Sequence, residues 1–209
     1  MFLTNEWYFF PSAIDKKTCN KLKNISSSFK NASVDISETI SEEERKTGRV
    51  SDYQVDAKSR KAGTTWTTEQ WVYDLIWPYM VEANKIAGWN FDIIAAESVQ
   101  IARYKLGGFH TWHIDGTSDC LSAYDEPNNK FLHGYARKLS MSILLNDNYE
   151  GGEFQFCTYR KQEHKVNTPE FNTCGSVIVF PSFIEHRVAP ITKGKRYSLV
   201  AWFLGPPFK

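Results

Sequence analysis

Arg196-Tyr-Ser-Leu-Val-Ala-Trp-Phe-Leu204 alternates with a period of two. Successive side chains of a strand point to opposite sides, so Arg196, Ser198, Val200 and Trp202 share one face while Tyr197, Leu199, Ala201 and Phe203 share the other. One face is wholly apolar; the other carries an arginine and a hydroxyl. The same division recurs upstream. In Ala96–Lys105, Gln100 and Tyr104 lie opposite Val99 and Ile101, and in Lys138–Asn146, Ser140, Ser142 and Leu144 oppose Leu139, Met141, Ile143 and Leu145. Such strands pack their apolar faces under a covering layer and turn their mixed faces towards a pocket for a polar ligand.

Working outward, strands are expected at Phe109–Ile114, Glu153–Cys157, Ser176–Phe180 and His186–Ile191. Each is short, rich in β-branched or aromatic residues, and bounded by Gly, Pro, Asn or Asp. The N-terminal third reads as helical. Asp15 can cap a helix running to Phe29, with Cys19, Leu22, Ile25 and Phe29 at helical spacing. Thr67-Thr-Glu-Gln resembles a capping box that opens a second helix to about Ala87, with Trp71, Leu75, Tyr79, Ala83 and Ile86 as its apolar stripe. Pro78 should kink or split that helix, and Gly88 should end it. Helices followed by many strands indicate an α+β, mainly β fold, a jelly roll or small barrel with the N-terminal helices packed on one sheet. The expected organisation is one domain, with residues 1–91 as helical support and 92–209 as the β core. Two polar connections, Lys30–Thr64 and Gly116–Arg137, are long enough to be functional loops that order over a site.

The bulk properties exclude several classes. A net charge of +1 gives no electrostatic case for nucleic acid or an anionic membrane surface. No stretch of about 18 apolar residues is present, so nothing is expected to span a bilayer. The start, Met1-Phe-Leu-Thr-Asn-Glu-Trp-Tyr-Phe-Phe10, lacks a basic region and a long apolar core, so a signal peptide is not expected. Cys19, Cys120, Cys157 and Cys174 have no CxxC spacing and point neither to zinc nor to a disulfide framework. A reducing, cytoplasmic setting is the expectation, with the oligomeric state left open.

The residues that carry chemistry precede the opening strand. His186 lies ten positions before Arg196, and His113 and Asp115 stand two apart in Phe109-His-Thr-Trp-His-Ile-Asp115. Residues i and i+2 of a strand point the same way, roughly 6.5–7 Å apart at their Cα atoms. One imidazole and one carboxylate can therefore share a metal, and a second imidazole from a distant strand leaves the opposite side of the ion open. That is the ligand set of non-haem Fe(II) oxygenases. By the same alternation, His110 should face away from His113. His164 sits in a charged stretch and reads as solvated. Arg196 offers a rigid fork for a carboxylate, with Ser198 on the same face and Tyr104 as a further donor. The turn Thr192-Lys-Gly-Lys195 is expected to fold the Arg196 strand back beside that of His186. Gly151-Gly152-Glu153 is read as a structural turn and not a phosphate cradle, since no helix follows it.

At these residues the chain resembles the prolyl 4-hydroxylase-like branch of the 2-oxoglutarate- and Fe(II)-dependent dioxygenases. Tyr104-Lys-Leu-Gly107-(x)5-His113-x-Asp115 is similar to that branch's first block, and Leu139 to Phe154, with Leu145-Asn146 and Gly151-Gly152-Glu153, to its second. Gly175-(x)4-Phe180-Pro-Ser-(x)3-His186-(x)9-Arg196-x-Ser198 is similar to the third. The likeness covers about residues 96–204.

The resemblance implies a double-stranded β-helix, Fe(II) held by His113, Asp115 and His186, and 2-oxoglutarate bound through Arg196, Tyr104 and Ser198. O2 would be the oxidant and ascorbate a candidate additional cofactor. It favours hydroxylation of a prolyl residue in a peptide or protein. A free amino acid or other small metabolite as substrate stays open at this point, as does a non-catalytic binding module on the same fold. Trp112, Tyr124 and Tyr135 are candidate substrate contacts from their nearness to the ligands. Leu144 departs from the polar donor many relatives carry there, so the anchor would lean on Ser198 or Ser142. Asp115 argues against the related halogenases, and Trp202 stands where alkylated-base demethylases carry an arginine.

Overall fold

The computed structural model describes residues 5–25, 28–32, 34–35, 53–54, 58–116, 123–160 and 163–208. The N-terminal part supplies β1 (Tyr8–Phe10), α1 (Lys16–Lys23), β2 (Lys30–Asn31), β3 (Val34–Asp35), β4 (Tyr53–Gln54), β5 (Arg60–Lys61), β6 (Gly63–Thr67) and α2 (Gln70–Ile86). Then come β7 (Ala95–Ala96), β8 (Val99–Tyr104), β9 (Phe109–His113), β10 (Ala136–Leu144), β11 (Tyr149–Gly151) and β12 (Phe154–Arg160). The chain closes with β13 (Glu163–Asn167), β14 (Val177–Pro181), β15 (Glu185–Val188), β16 (Ile191–Gly194) and β17 (Arg196–Gly205).

Two antiparallel sheets dominate. The larger runs β1-β14-β10-β17-β8-β6-β2 with β7 also on β17, and the smaller runs β13-β12-β15-β9-β5. The alternation in β17 sorts its side chains between two cores. Leu199, Ala201 and Phe203 join Val99, Ile101, Leu139, Met141 and Ile143 beneath the helices, against Cys19 and Leu22 of α1 and Val72, Ile76 and Met80 of α2. The opposite faces turn inward, where Ala102, Leu144, Ile178 and Phe180 meet Phe154, Phe156 and Val188 of the smaller sheet. The helices thus cover one sheet, as expected. A fully buried leucine such as Leu22 makes this packing worth about 2–5 kcal/mol on truncation to alanine.

Several local expectations are corrected. Asp15 caps α1, accepting from Thr18 N at 2.9 Å, but the helix stops at Lys23 rather than Phe29. The second helix starts at Gln70, because Thr67 still belongs to β6 and Glu69 occupies the cap without a side-chain bond. Pro78 lies inside one continuous helix. Its fully buried stripe is Val72, Ile76, Met80 and Ala83; Trp71, Leu75 and Tyr79 are half-buried flanks and Ile86 is 53% exposed. The large aromatics draw the expected stripe one residue off. The N-terminal region also contributes strands to both sheets: β1 borders β14, and β5 borders β9. Most of the Lys30–Thr64 connection, and residues 117–122 of the second, lie outside the described residues, as does Cys120. The stretch around His164 forms the edge strand β13 rather than a loop.

The turn before Arg196 does not lay its strand beside that of His186. β17 pairs with β10 and β8, whereas β15 pairs with β12 and β9. Between them, β16 breaks away to pair with β11. Arg196 and His186 therefore belong to different sheets and meet across the interior. Gly151 and Gly152 both adopt positive φ at the β11–β12 turn. A Cβ on Gly152 would lie 2.3 Å from Ile191 Cδ1 and 3.2 Å from Arg196 Cδ, so the glycine leaves room for the arginine stem. No helix among the described residues is long and apolar enough to cross a membrane.

Candidate active site

A narrow cavity lies between the two sheets. The mixed face of the opening strand lines it with Arg196, Ser198, Val200 and Trp202, joined by Gln100 and Tyr104 from β8. Opposite them stand His113, Asp115 and His186, whose ligand atoms all lie within 4.8 Å of one another. His113 and His186 are cross-strand partners on β9 and β15. Asp115 follows β9, and its backbone N–H donates to Ser182 O at 2.9 Å, which ties it to the loop after β14.

Both imidazoles are oriented by the same device. His113 Nδ1 lies 2.8 Å from Thr111 O and His186 Nδ1 lies 2.9 Å from Ile184 O, the carbonyl two residues back in each case. A carbonyl only accepts, so each Nδ1 carries a proton, and in the neutral tautomer this leaves the lone pair on Nε2. Those lone pairs converge on the carboxylate: His113 Nε2 is 3.7 Å from Asp115 Oδ1 and His186 Nε2 is 3.5 Å from Oδ2. Burial, followed by the nearby His186, lowers the His113 pKa to about 3, which keeps the ring a neutral ligand. Burial pushes the Asp115 carboxyl upward, but His186, His113, Arg137 and a Ser140 hydrogen bond outweigh it and hold the group below its ordinary value. Phe154 stacks on His186 with centroids 5.4 Å apart, and Phe180 meets the same ring edge-on at 4.7 Å.

Two sets of buried polar atoms in the cavity have no hydrogen-bond partner among the described residues. Asp115 Oδ2 is buried without a hydrogen-bond partner among the described residues. An unpaired buried carboxylate oxygen is costly, and a cation beside two imidazole lone pairs relieves that cost. Three such donors with one side left free suit a 2-His-1-carboxylate metal. Arg196 is 1% exposed, yet its Nε and Nη2 also lack partners, while Nη1 donates to Ser198 Oγ at 3.0 Å. Tyr104 is its cross-strand partner, with its ring 5.7 Å from the guanidinium carbon. A bidentate carboxylate would satisfy those two donors. Asn146 fixes the start of this strand, since its side chain donates to Lys195 O and accepts from Tyr197 N.

The expectation for His110 is overturned. His186 pairs with His113, and Val188, two residues on, pairs with His110, three residues back. The extra residue makes a β-bulge, which cancels the alternation. His110 therefore lines the cavity and stacks on His113 with centroids 3.6 Å apart. The three aromatic substrate candidates fare differently. Trp112 lies under the Arg187 guanidinium at 4.6 Å, on the outer side of the strand, and does not line the cavity. Tyr124 is buried beside it, its hydroxyl donating to Glu97 Oε1 at 3.3 Å, and Tyr135 sits in the turn whose carbonyl accepts from Tyr124 N. Sequence reasoning missed Arg60, which reaches the cavity from β5. That residue sits in a polar stretch with no periodicity, and only its pairing with β9 brings it in.

Beside the cavity a shallow groove is lined by Trp66, Glu97, Ser98, Asn129, Phe131 and Leu132. Trp66, 51% exposed, leans on Trp202 with centroids 5.9 Å apart, so one indole borders the groove and the next borders the cavity. Arg137 stacks on the Trp202 ring at 4.2 Å while its Nε and Nη2 donate to both oxygens of Glu97 at 2.6 and 2.7 Å. That ion pair holds Trp202 in place.

The fold is shared with solved structures at low identity. A collagen prolyl hydroxylase of Paramecium bursaria Chlorella virus-1, in its 2-oxoglutarate complex, aligns over 97% of each chain at 19% identity and TM-score 0.61. A Pseudomonas putida prolyl-4-hydroxylase aligns over 96% of this chain and 93% of that one, at 15% identity and TM-score 0.63. Among curated proteins, a PKHD-type hydroxylase of Xylella fastidiosa (strain M23) is 34% identical over 103 residues, 48% of this chain and 41% of that protein. A PKHD-type hydroxylase of Synechococcus sp. (strain CC9605) is 29% identical over 107 residues, 50% of this chain and 40% of that protein. The matched region thus spans less than half of these relatives. Residues 99–204, half of the chain, match the family described as the 2OG-Fe(II) oxygenase superfamily, and they carry every lining residue of the cavity except Arg60; the chain belongs to that superfamily.

Proposed function

We propose that the protein is a 2-oxoglutarate- and Fe(II)-dependent dioxygenase that hydroxylates an unactivated C–H bond, with a prolyl residue of a peptide or protein as its substrate. The observation that carries this reading is the set of orphaned atoms in one cavity: Asp115 Oδ2 beside two imidazole lone pairs, and Arg196 Nε and Nη2 facing the same space. His113, Asp115 and His186 would hold Fe(II), and Arg196, Ser198 and Tyr104 would hold the far carboxylate of 2-oxoglutarate. Bound there, Fe(II) with its cosubstrate and O2 supplies the oxidising chemistry that turns C–H into C–OH.

The chain's own residues position and exclude. The Nδ1–H bonds to Thr111 and Ile184 fix both imidazoles before any ligand arrives, so no reorganisation is needed on binding. Arg196 and Ser198 set the direction of a dicarboxylate across the cavity. Phe154 and Phe180 pack on the His186 ring and make that side of the cavity apolar. The peptide reading is supported by the groove of Trp66 and Phe131, which adjoins the cavity through the Trp66–Trp202 contact and offers a surface for residues that neighbour a reacting one. It also agrees with the names of structural neighbours, including a Trichoplax adhaerens prolyl hydroxylase in complex with a hypoxia inducible factor peptide fragment. Ascorbate, as a reductant for idle turnover, belongs to the same proposal.

The test is anaerobic addition of Fe(II) and then 2-oxoglutarate, with the visible metal-to-ligand charge-transfer band as readout. The band should vanish in His186→Ala and need at least tenfold more 2-oxoglutarate in Arg196→Ala. A folded wild-type protein with no band would overturn the reading. Proline-containing peptides and free amino acids, scored for a 16 Da mass gain, then separate the two substrate classes.

A further inference from the structure

The cavity contains a second guanidinium that the proposed cosubstrate site does not use. Arg60 is 9% exposed, lines the cavity, and is the cross-strand partner of His110. Its Nη2 donates to Gln100 Oε1 at 2.5 Å, while its Nε is buried with no partner among the described residues. Gln100 is the cross-strand partner of Val200, so Arg60 is pinned at the Trp202 end of the wall. There Trp202 Nε1 is a further buried donor without a partner. Both orphans are N–H groups, and a buried N–H left unmatched is costly, so this end of the cavity is built for oxygen acceptors.

Two acceptors compete for Arg60: the metal-side carboxylate of the cosubstrate and an oxygen of the primary substrate. The distances favour the second. Gln100, which holds Arg60, pairs with Val200, four residues along the strand from Arg196 and about 14 Å away at ~3.4 Å per residue, and Trp202 lies two residues further on. A five-carbon dicarboxylate has four C–C bonds of about 1.5 Å, so it reaches no further than about 6 Å from carbon to carbon. Anchored at Arg196, it cannot also serve the donors at the Trp202 end.

Resting on the oxygenase reading, we propose that Arg60, held by Gln100, receives a carbonyl or carboxylate oxygen of the primary substrate and so positions its C–H bond beside the metal. A planar fork fixed at one nitrogen presents the remaining N–H in a set direction, which a lysine cannot reproduce. The reacting residue would then enter past Trp202, with its acceptor oxygen on Arg60 and its neighbours in the groove of Trp66.

The experiment uses the full chain with Fe(II), anaerobically, and compares wild type with Arg60→Met and Arg60→Lys. The charge-transfer band reports cosubstrate affinity and checks the fold. Perturbation of that band by a blocked Pro-Ala repeat peptide, by N-acetylproline and by free L-proline reports substrate binding. The expected result is cosubstrate affinity within twofold of wild type in both variants, with at least tenfold weaker binding of whichever probe the wild type prefers, in Arg60→Lys as well as Arg60→Met. Preference for the blocked peptide identifies a backbone carbonyl as the acceptor, and preference for either acid identifies a carboxylate. A tenfold loss of cosubstrate affinity with probe binding intact would assign Arg60 to the cosubstrate and overturn the proposal. Unchanged probe binding in Arg60→Met overturns it too, as does a wild-type protein that forms the band and binds none of the probes. A missing band in wild type is a different result, since it removes the oxygenase reading itself.

Discussion

Replacing Arg196 with methionine should stabilise the metal-free, ligand-free protein. The arginine is 1% exposed and makes one side-chain hydrogen bond, to Ser198, while Nε and Nη2 stay unmatched. Each buried unsatisfied group costs about 1–3 kcal/mol, so the two orphans cost at least about 2 kcal/mol, and the Ser198 bond returns about 1 kcal/mol. The uncompensated charge adds to the cost in the same direction. Methionine follows the apolar stem between Phe171 and Tyr104 without bringing any of these donors. Set against the hydroxyl it strands on Ser198, the net gain is about 1–2 kcal/mol. For a chain of this size that raises Tm by about 2–8 °C. That advantage should shrink once the site is filled. With Fe(II) on both proteins, wild type gains about 2.7 kcal/mol from 2-oxoglutarate at a hundred times its Kd, and a variant that binds it tenfold more weakly gains about 1.4 kcal/mol. Thermal unfolding of both proteins, with and without ligands under anaerobic conditions, measures all four values. An Arg196→Met protein that melts below wild type without ligands would refute the claim that these donors are unsatisfied.

Further outcomes follow from the same geometry. Asp115→Asn should retain the fold, since it removes an orphaned buried charge, yet lower Fe(II) affinity at least tenfold by isothermal titration; an unchanged affinity would remove Asp115 from the metal site. Gly175 has φ +84 and an added Cβ would sit 1.9 Å from Ile14 O, whereas Gly88, at φ +76, has open space. Gly88→Ala should therefore cost about 1–2 kcal/mol from backbone strain alone. Gly175→Ala should cost about 3 kcal/mol or more, because the segment leading into α1 must move as well; equal costs in urea denaturation would contradict the close approach. Burial and the adjacent Cys174 push the Cys19 thiol up to about 12 from an ordinary value of 9.0. The folded state keeps this proton where the unfolded state loses it, so unfolding free energy should fall from about pH 9 upward and level near 12. Cys19→Ala should show a shallower decline over that window.

What could be read from the sequence follows the range of the forces involved. The face division of Arg196, Ser198, Val200 and Trp202 against Leu199, Ala201 and Phe203 was legible because a strand buried on both sides writes its chemistry with a fixed period. His113, Asp115 and His186 were legible as ligand types, and their convergence depends on a register that no local pattern encodes. His110 was misread because alternation assumes an unbroken ladder, and the bulge breaks it between His110 and His113. Arg60 was invisible because a two-residue strand has no period to detect. Trp112 was overvalued because nearness in sequence to a ligand says little about which face of the sheet a ring occupies.

The bulge in β9 acts as a frameshift in the strand's two-letter code. Residues up to His110 are read in one frame and residues from His113 in another, so the two ends of the strand address the cavity independently. Removing a single residue at Thr111 or Trp112 would abolish the bulge and leave His110 two positions from His113, so regular alternation alone would then keep both on the cavity side. Straightening the ladder with every residue kept would instead turn His110, the neighbour of Arg60, away from the cavity while the proposed ligand His113 held its place, so one surplus residue is what lets two histidines three positions apart share a wall.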